Sequence, residues 1–259
     1  MHVEIPIGTL IGFLMVLTRV SGVFAFLPIA HFRAASVPTR FIMSIACTLL
    51  LEARWPRSPI LSGAPEAGVA LLVQLAGEAL LGLSSGLVLS LLVETFSMAA
   101  QFLGLQAGFG YASTIDPNSE ADSGILLVLA QLTSWLLFLS LGLERHLLRS
   151  LALSLERLPA GSFAVTGEAR AAVLGMGAVV VTTAFRLALP VIALLMLVDI
   201  GFASLGKLHS QLQLLTLAFP IKMLMAVAVL AASLGIWSRL FESTALHAVG
   251  ALTRIAGGT

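Results

Sequence analysis

Long apolar stretches separated by short polar connections make up most of this chain. A stretch of about 18 or more mostly apolar residues can cross the hydrocarbon core of a bilayer as a helix. Six stretches are predicted as helices, of which the second is short and the third, longer than one crossing needs, is broken near Glu94. They are Ile7 to Ile29, Thr39 to Leu51, Ala67 to Gly108, Gly124 to Gly142, Ala171 to Ile200 and Leu212 to Trp237. The pattern predicts an all-α, polytopic integral membrane protein with about six hydrophobic helices, some broken or arranged as hairpins.

The composition agrees with a membrane location. Hydrophobic residues make up 58% of the chain and charged residues only 10%, whereas about a quarter of an ordinary soluble domain is charged. The longest polar connection, Gly142 to Arg170, is too short for a separate soluble domain. A net charge of +1 gives no electrostatic basis for binding nucleic acid. We therefore expect the lipid bilayer as the surroundings and no nucleic acid partner.

Motifs of known enzymes are missing from the sequence. It contains no His-Glu-x-x-His, no cysteine cluster and no phosphate-binding loop. We therefore predict no catalytic, cofactor-binding or metal-binding residues, and no enzymatic activity.

Four ionisable residues lie well inside apolar stretches: Arg19, Glu78, Arg186 and Lys222. Facing lipid, each would cost roughly 2.5–3.5 kcal/mol at a helix centre. We expect them to face other helices, a partner subunit or a wet cavity, because a lone subunit could hardly cover them all. Two interpretations remain open, namely a structural ion pair and the polar lining of a conduit. Glu78 is the only acid among the four, and Glu94 and Asp199 are further candidates for pairing.

Two prolines accompany these charges. Pro190 follows Arg186 by four residues, and Pro220 precedes Lys222 by two. Since proline has no N–H group, each releases one carbonyl from the helical hydrogen-bond ladder. At membrane depth such carbonyls must be covered by protein or water. The prolines predict helix kinks that pack against something polar.

Glycine pairs four residues apart occur at Gly8 and Gly12, at Gly82 and Gly86, and at Gly104 and Gly108. This spacing allows helix backbones to approach closely, so it predicts close packing without identifying the partner helix.

The segment from Gln106 to Pro117 ends one helix with glycines and begins the next at Asp116, a good helix N-cap followed by proline at the first helical position. Its Gly-Phe-Gly sequence resembles a potassium-channel filter, but the residues before it lack the hydroxyl groups of such a filter. A movable plug or gasket loop suits the composition better. The candidate residues of this plug are Gln106, Gly108, Phe109, Gly110, Tyr111, Asp116 and Pro117.

The order and spacing of several groups of residues resemble one known family across nearly the whole chain. These groups are Arg19 with Gly22 and Pro28, Gly77-Glu78 with Gly82 and Gly86, Gln106 to Pro117, Ser154 to Pro159, Arg186 to Pro190, and Pro220 to Lys222. They resemble the flagellar biosynthesis protein FliR family, the R subunit of the flagellar type III export gate. One departure is the segment Leu141 to His146, where the family usually has a shorter Asn-Gly-His turn.

The resemblance implies a core structural subunit that assembles with the P and Q export-gate subunits and with other membrane proteins of the export apparatus. Residues 1–170 would be P-like, and residues 171–259 would form a Q-like helical hairpin. The implied location is the bacterial inner membrane, in the flagellar basal body, and the segment after Gln106 would seal the pore. The family also implies that some helices pack in a ring as hairpins rather than as simple bilayer spans.

The function implied is a pore subunit through which unfolded flagellar export substrates cross the inner membrane. The equivalent subunit of a virulence-type type III secretion system is the nearest alternative. A secondary transporter would also explain Arg186, Lys222 and the broken helices, although the two halves show no repeat. An intramembrane enzyme would need a nucleophile and a base, for which the sequence offers no candidate.

Overall fold

A computed structural model of the chain describes residues 7–27, 37–51, 67–109, 124–162, 167–208 and 214–256. All secondary structure in this described part of the chain is helical. The helices are α1 (Ile7–Phe26), α2 (Val37–Leu50), α3 (Ala67–Ala107), α4 (Gly124–Ser140), α5 (Leu143–Arg157), α6 (Gly167–Leu208) and α7 (Leu214–Ile255). The predicted all-α fold is confirmed.

Three helices are far longer than one membrane crossing requires. α3 has 41 residues, and α6 and α7 have 42 each. At a rise of 1.5 Å per residue, each is roughly 60 Å long, about twice the 30 Å thickness of the hydrocarbon core. A bilayer of ordinary thickness therefore matches only about half the length of each helix.

The sequence predicted about six hydrophobic helices, the second of them short, and the described part of the chain contains seven helices. Four helices are long and apolar enough to cross a membrane, and a fifth crossing is possible if α4 and α5, which meet at a 61° bend, count as one. The predicted span Thr39 to Leu51 is the 14-residue helix α2, which is too short to cross the hydrocarbon core unaided. The chain remains a multi-pass helical membrane protein by length and composition.

The predicted break near Glu94 does not occur, because α3 continues from Ala67 to Ala107. The prediction assumed that a helix ends once it is long enough for one crossing. A helix continues for as long as its backbone hydrogen bonds can form, and no proline interrupts them in this stretch. Its glycines cost only about 1 kcal/mol each relative to alanine, which tertiary packing can offset.

The connection predicted from Gly142 to Arg170 contains the helix α5. Its many charged residues concealed an amphipathic pattern in which Leu143, Leu147 and Leu151 recur every four residues and are buried. The chain turns between α4 and α5 at Gly142, which lies in the left-handed region with φ 63°. Glycine adopts this conformation without steric cost.

The chain divides into two compact units. The first comprises Met1–Leu91, Phe138–Gly177 and Ala245–Thr259, and its buried side chains include Met15, Val20 and Leu81.

The second unit comprises Leu92–Leu137 and Ala178–Thr244. In its core, the Phe96 ring lies 5.3 Å from Trp237 and 5.2 Å from Phe241, measured between ring centroids. This division reflects compactness alone. The likeness of residues 1–170 and 171–259 to two other subunits stays a prediction.

Candidate functional site

Helices α1 and α3 pack with their backbones in direct contact. A Cβ atom on Gly22 would lie 2.8 Å from the backbone nitrogen of Leu83, and one on Gly82 would overlap the carbonyl oxygen of Arg19. A Cβ atom on Gly86 would lie 2.6 Å from another carbonyl oxygen of α1. No residue larger than glycine fits at these contacts, so the predicted close packing is confirmed for Gly82 and Gly86.

This close approach places Arg19 of α1 against Glu78 of α3. Both side chains are completely buried. The Nε atom of Arg19 donates to Oε2 of Glu78, and Nη2 donates to Oε1 at 2.9 Å. Two parallel charge-assisted hydrogen bonds of this kind fix the orientation of both groups.

The end of α5 completes the cluster. Arg19 Nη1 donates to Ser154 Oγ at 3.2 Å, and Nη2 also donates to the carbonyl oxygen of Leu158 at 3.0 Å. The backbone N–H of Gly161 donates to Glu78 Oε1 at 2.7 Å. Gly161 has a φ of 93°, so the turn that presents this N–H group favours glycine. We call these five residues the Arg19 cluster; they connect α1, α3 and the end of α5.

The Arg19 cluster bears on one expectation from the sequence. We expected that a lone subunit could hardly cover all four charges, and this chain covers Arg19 and Glu78 entirely while Arg186 is exposed. Ser154 Oγ donates to the carbonyl oxygen of Leu151 at 2.8 Å, so no base receives its proton. The arrangement holds helices together and does not activate a nucleophile.

A second polar cluster lies in the other compact unit and connects three helices there. Lys222 of α7 donates to Asp199 of α6, with Nζ 2.9 Å from Oδ1 and 3.0 Å from Oδ2. Gln106 of α3 donates through Nε2 to Asp199 Oδ2 at 3.2 Å. The Lys222 side chain is 11% exposed and that of Asp199 is 44% exposed. We call these three residues the Asp199 cluster.

Arg186 differs from the other three predicted charges because it is exposed on the surface of this chain. Beside it on α6, the ring of Phe185 stacks on that of Phe102, with centroids 5.0 Å apart. The structure therefore buries Arg19, Glu78 and Lys222 but not Arg186. Pro190 and Pro220 lie inside the continuous helices α6 and α7 and are also exposed.

Of the predicted plug residues, the structure describes Gln106, Gly108 and Phe109. Helix α3 ends at Ala107, and Gly108 follows with a φ of 85°, as is common for glycine just after a helix. Its N–H group donates to the carbonyl oxygen of Leu105 at 3.2 Å. Gly110, Tyr111, Asp116 and Pro117 lie outside the described residues. In the part of the chain that is described, no group of three or more His, Cys, Asp or Glu side chains could hold a metal ion.

The sequence of this chain matches a protein family over nearly its whole length. The family model described as Bacterial export proteins, family 1, matches residues 10–248. The chain belongs to this family.

Several relatives carry the name flagellar biosynthetic protein FliR. The relative from Pectobacterium carotovorum subsp. carotovorum is 26% identical over 214 residues, which is 82% of this chain and 80% of the relative. The relative from Bacillus subtilis (strain 168) is 25% identical over 219 residues, or 82% and 81% of the two chains. The relative from Escherichia coli (strain K12) is 26% identical over 155 residues, or 60% and 59%. The predicted resemblance is confirmed.

The structure brings several of the residues on which that resemblance rested into one place. Arg19, Gly22, Glu78, Gly82 and Ser154 all lie at or beside the Arg19 cluster. In this member of the family, they hold helices together.

Sequence reasoning missed one member of these clusters and could not identify the partners of another. Gly161 was not singled out, although Pro159-Ala160-Gly161 has the composition of a turn. Asp199 was a candidate for pairing, but its two partners come from other helices, and no local spacing in the sequence indicates Gln106 or Lys222.

Proposed function

We propose that this chain is a non-enzymatic subunit of the flagellar type III protein export gate. In this proposal it assembles with the P and Q subunits and with other membrane proteins of the export apparatus. Together they form the pore through which unfolded flagellar proteins cross the bacterial inner membrane at the basal body. Membership of an export family and the names of the relatives support this function.

The exposed position of Arg186 is the observation that carries the assembly part of the proposal. In the most apolar 18 residues of α6 and of α7, only 22% and 17% of the residues are buried by this chain. Such apolar surfaces could face lipid, but an arginine at the middle of a membrane helix disfavours it by roughly 2.5–3.5 kcal/mol. A partner subunit that supplies an acceptor beside Arg186 would remove this cost.

Affinity purification of the gate in mild detergent tests this step. Arg186→Ala should reduce the amounts of the P and Q subunits that co-purify with the chain. Arg170→Ala is the matched control, because Arg170 is exposed on the same helix but lies in its first turn. Undiminished co-purification with Arg186→Ala would refute an assembly role for this residue. A stable wild-type chain that purifies alone and binds a small solute would favour a secondary transporter.

We also propose that Gln106 to Pro117 forms the plug of this pore. The Asp199 cluster supports the idea, since it attaches Gln106 to α6 and α7 immediately before the helix ends at Ala107. A loop can seal and open a pore only if its base is fixed while its tip can move. The hydrogen bond from Gln106 provides such a fixed base.

Deleting Gly108 to Tyr111 should make membranes that contain the assembled gate leaky to ions. Deleting the four residues from Phe163 to Thr166 between α5 and α6 is a control of equal length. The same membrane conductance in both deletion strains and in the wild type would refute the plug.

The two long C-terminal helices support the proposed Q-like hairpin. Asp199 lies nine residues before the end of α6, and Lys222 lies eight residues after the start of α7. Their ion pair therefore joins the two helices near the short connection between them. Loss of swimming on deletion of the gene would favour the flagellar system. A deletion strain that still swims but no longer secretes virulence proteins would favour the virulence-type subunit.

A further inference from the structure

A cavity of about 530 Å³ lies at the 61° bend between α4 and α5. Its walls are the end of α4, the turn at Gly142 and the first turns of α5, all within one compact unit. The volume is within the range of sites that bind small molecules in proteins. None of its lining residues belongs to the Arg19 cluster or to the Asp199 cluster.

Positive side chains dominate the charge of this cavity. Arg145 and Arg149 line it together with His146 and Glu144. The two arginines are four residues apart and therefore lie on the same face of α5. Arg145 Nε is 3.8 Å from Glu144 Oε1, but its side chain is 90% exposed, so this contact neutralises little of its charge. Two arginines against one glutamate leave a net positive charge, which favours an anion.

Apolar side chains border the same cavity. Leu139 and Leu141 line it and are 53% and 36% exposed. Helix α4 has 17 residues and is about 26 Å long, close to the thickness of the hydrocarbon core. The cavity therefore lies where an apolar helix gives way to charged residues, as happens at a membrane surface. A ligand here meets both cationic and apolar groups.

Glu144 adds one further polar feature. Its Oε2 atom is buried and has no hydrogen-bond partner among the described residues. A buried acceptor without a donor is costly, and a rotation of this side chain, which is 38% exposed, would bring it to a hydroxyl group of a ligand. Free inorganic phosphate would satisfy the arginines but leave Leu139 and Leu141 uncovered.

We propose that this cavity binds the phosphate-bearing headgroup of an anionic membrane phospholipid. Arg145 and Arg149 contact the phosphate, Glu144 accepts a hydrogen bond from a headgroup hydroxyl, and Leu139 and Leu141 contact the start of an acyl chain. The site anchors the bend between α4 and α5 at the membrane surface.

Native mass spectrometry of the purified protein, titrated in detergent with phosphatidylglycerol, tests the proposal. Arg145→Gln with Arg149→Gln should weaken lipid binding about 30-fold, since each arginine near an anionic surface contributes roughly fivefold. The matched control is Arg157→Gln with Arg170→Gln, which removes the same charge from exposed positions outside the cavity. The control should bind lipid like the wild type.

Glu144→Gln should change lipid affinity in the opposite direction. It removes a negative charge that repels the lipid phosphate and keeps a hydrogen-bond acceptor. It should strengthen binding of phosphatidylglycerol by up to about fivefold. Diacylglycerol, which has the same chains without the phosphate, should not bind.

Equal lipid binding by the double cavity variant and the control would overturn the proposal. Displacement of the lipid by millimolar inorganic phosphate would also overturn it, because the site would then be one for free phosphate. All of these positions are exposed or partly exposed, and circular dichroism of each variant checks that its helices are retained.

Discussion

Replacing Glu78 with alanine tests whether the Arg19 cluster holds α1, α3 and the end of α5 together. The variant removes the carboxylate that accepts two hydrogen bonds from Arg19 and one from the N–H group of Gly161. The guanidinium then stays fully buried with only Ser154 and the carbonyl of Leu158 as acceptors. Neither of these carries a negative charge, so a positive charge remains inside the protein without compensation.

The expected loss of stability follows from that uncompensated charge. Removing one partner of a buried ion pair typically costs about 3–5 kcal/mol. The hydrogen bonds to Leu158 and Gly161 are only partly buried, so water can replace a partner at that edge. We therefore expect Glu78→Ala to lower the free energy of unfolding by about 3 kcal/mol, the lower end of that range, and Arg19→Met to lower it by a similar amount.

Unfolding in mixed detergent micelles, followed by tryptophan fluorescence, measures these changes. Glu242→Ala is the matched control, because Glu242 is exposed on α7, and it should change the free energy of unfolding by less than about 0.5 kcal/mol. The double variant Arg19→Met with Glu78→Met should recover most of the loss, since a buried ion pair can often be replaced by apolar side chains of similar volume at little cost.

Two results would refute this reasoning. A loss below about 1 kcal/mol for Glu78→Ala would mean that the pair contributes no more than an exposed one. A double variant that is less stable than either single variant would mean that packing around Arg19, rather than charge compensation, decides the stability.

Three further predictions concern single positions. Gly82→Ala should prevent α1 and α3 from packing and reduce the yield of folded protein, which size-exclusion profiles measure. Gly68→Ala on the same helix is the control. It should be neutral or slightly stabilising, because nothing lies within 4 Å of its added methyl group. Gly161→Ala should cost about 1–2 kcal/mol in the free energy of unfolding because its φ of 93° strains an L residue, and an unchanged value would contradict this. Asp199→Asn should destabilise the protein by leaving the mostly buried Lys222 without a counter-ion, and adding Lys222→Met should restore its thermal unfolding temperature.

The sequence predicted the helical class well, but it predicted helix lengths poorly. Apolar runs are visible in any hydropathy profile, whereas the ends of a helix depend on backbone breakers and on tertiary packing. A break near Glu94 was predicted because the apolar run is longer than one crossing needs, yet α3 continues past it. In α5, the charged residues hid a buried face of leucines. The first error came from setting helix length by membrane thickness, and the second came from treating charge as a signal that a helix stops.

The predicted site shows a similar division. The cost of placing ions in lipid identified Arg19, Glu78 and Lys222 as residues that need partners, and all three have them. Which residues pair could not be predicted, because Arg19 and Glu78 are 59 positions apart and the close packing of α1 against α3 at Gly22 and Gly82 brings them together. Periodicity in the sequence identifies which face of a single helix is apolar. It does not show which helices pack together, and these ion pairs depend on that packing.

The different surroundings of the four charges bear on how such a protein could assemble. The Arg19 cluster needs nothing beyond this chain, so its part of the fold can form before any partner arrives. Arg186 has no such cover and lies on a helix whose apolar surface is mostly unburied. A charge on that surface makes lipid a poor permanent environment and makes a complementary protein surface a better one. A subunit that folds first and then binds its neighbours needs both features. The Arg19 cluster is buried by the chain itself, and Arg186 is left exposed for a partner.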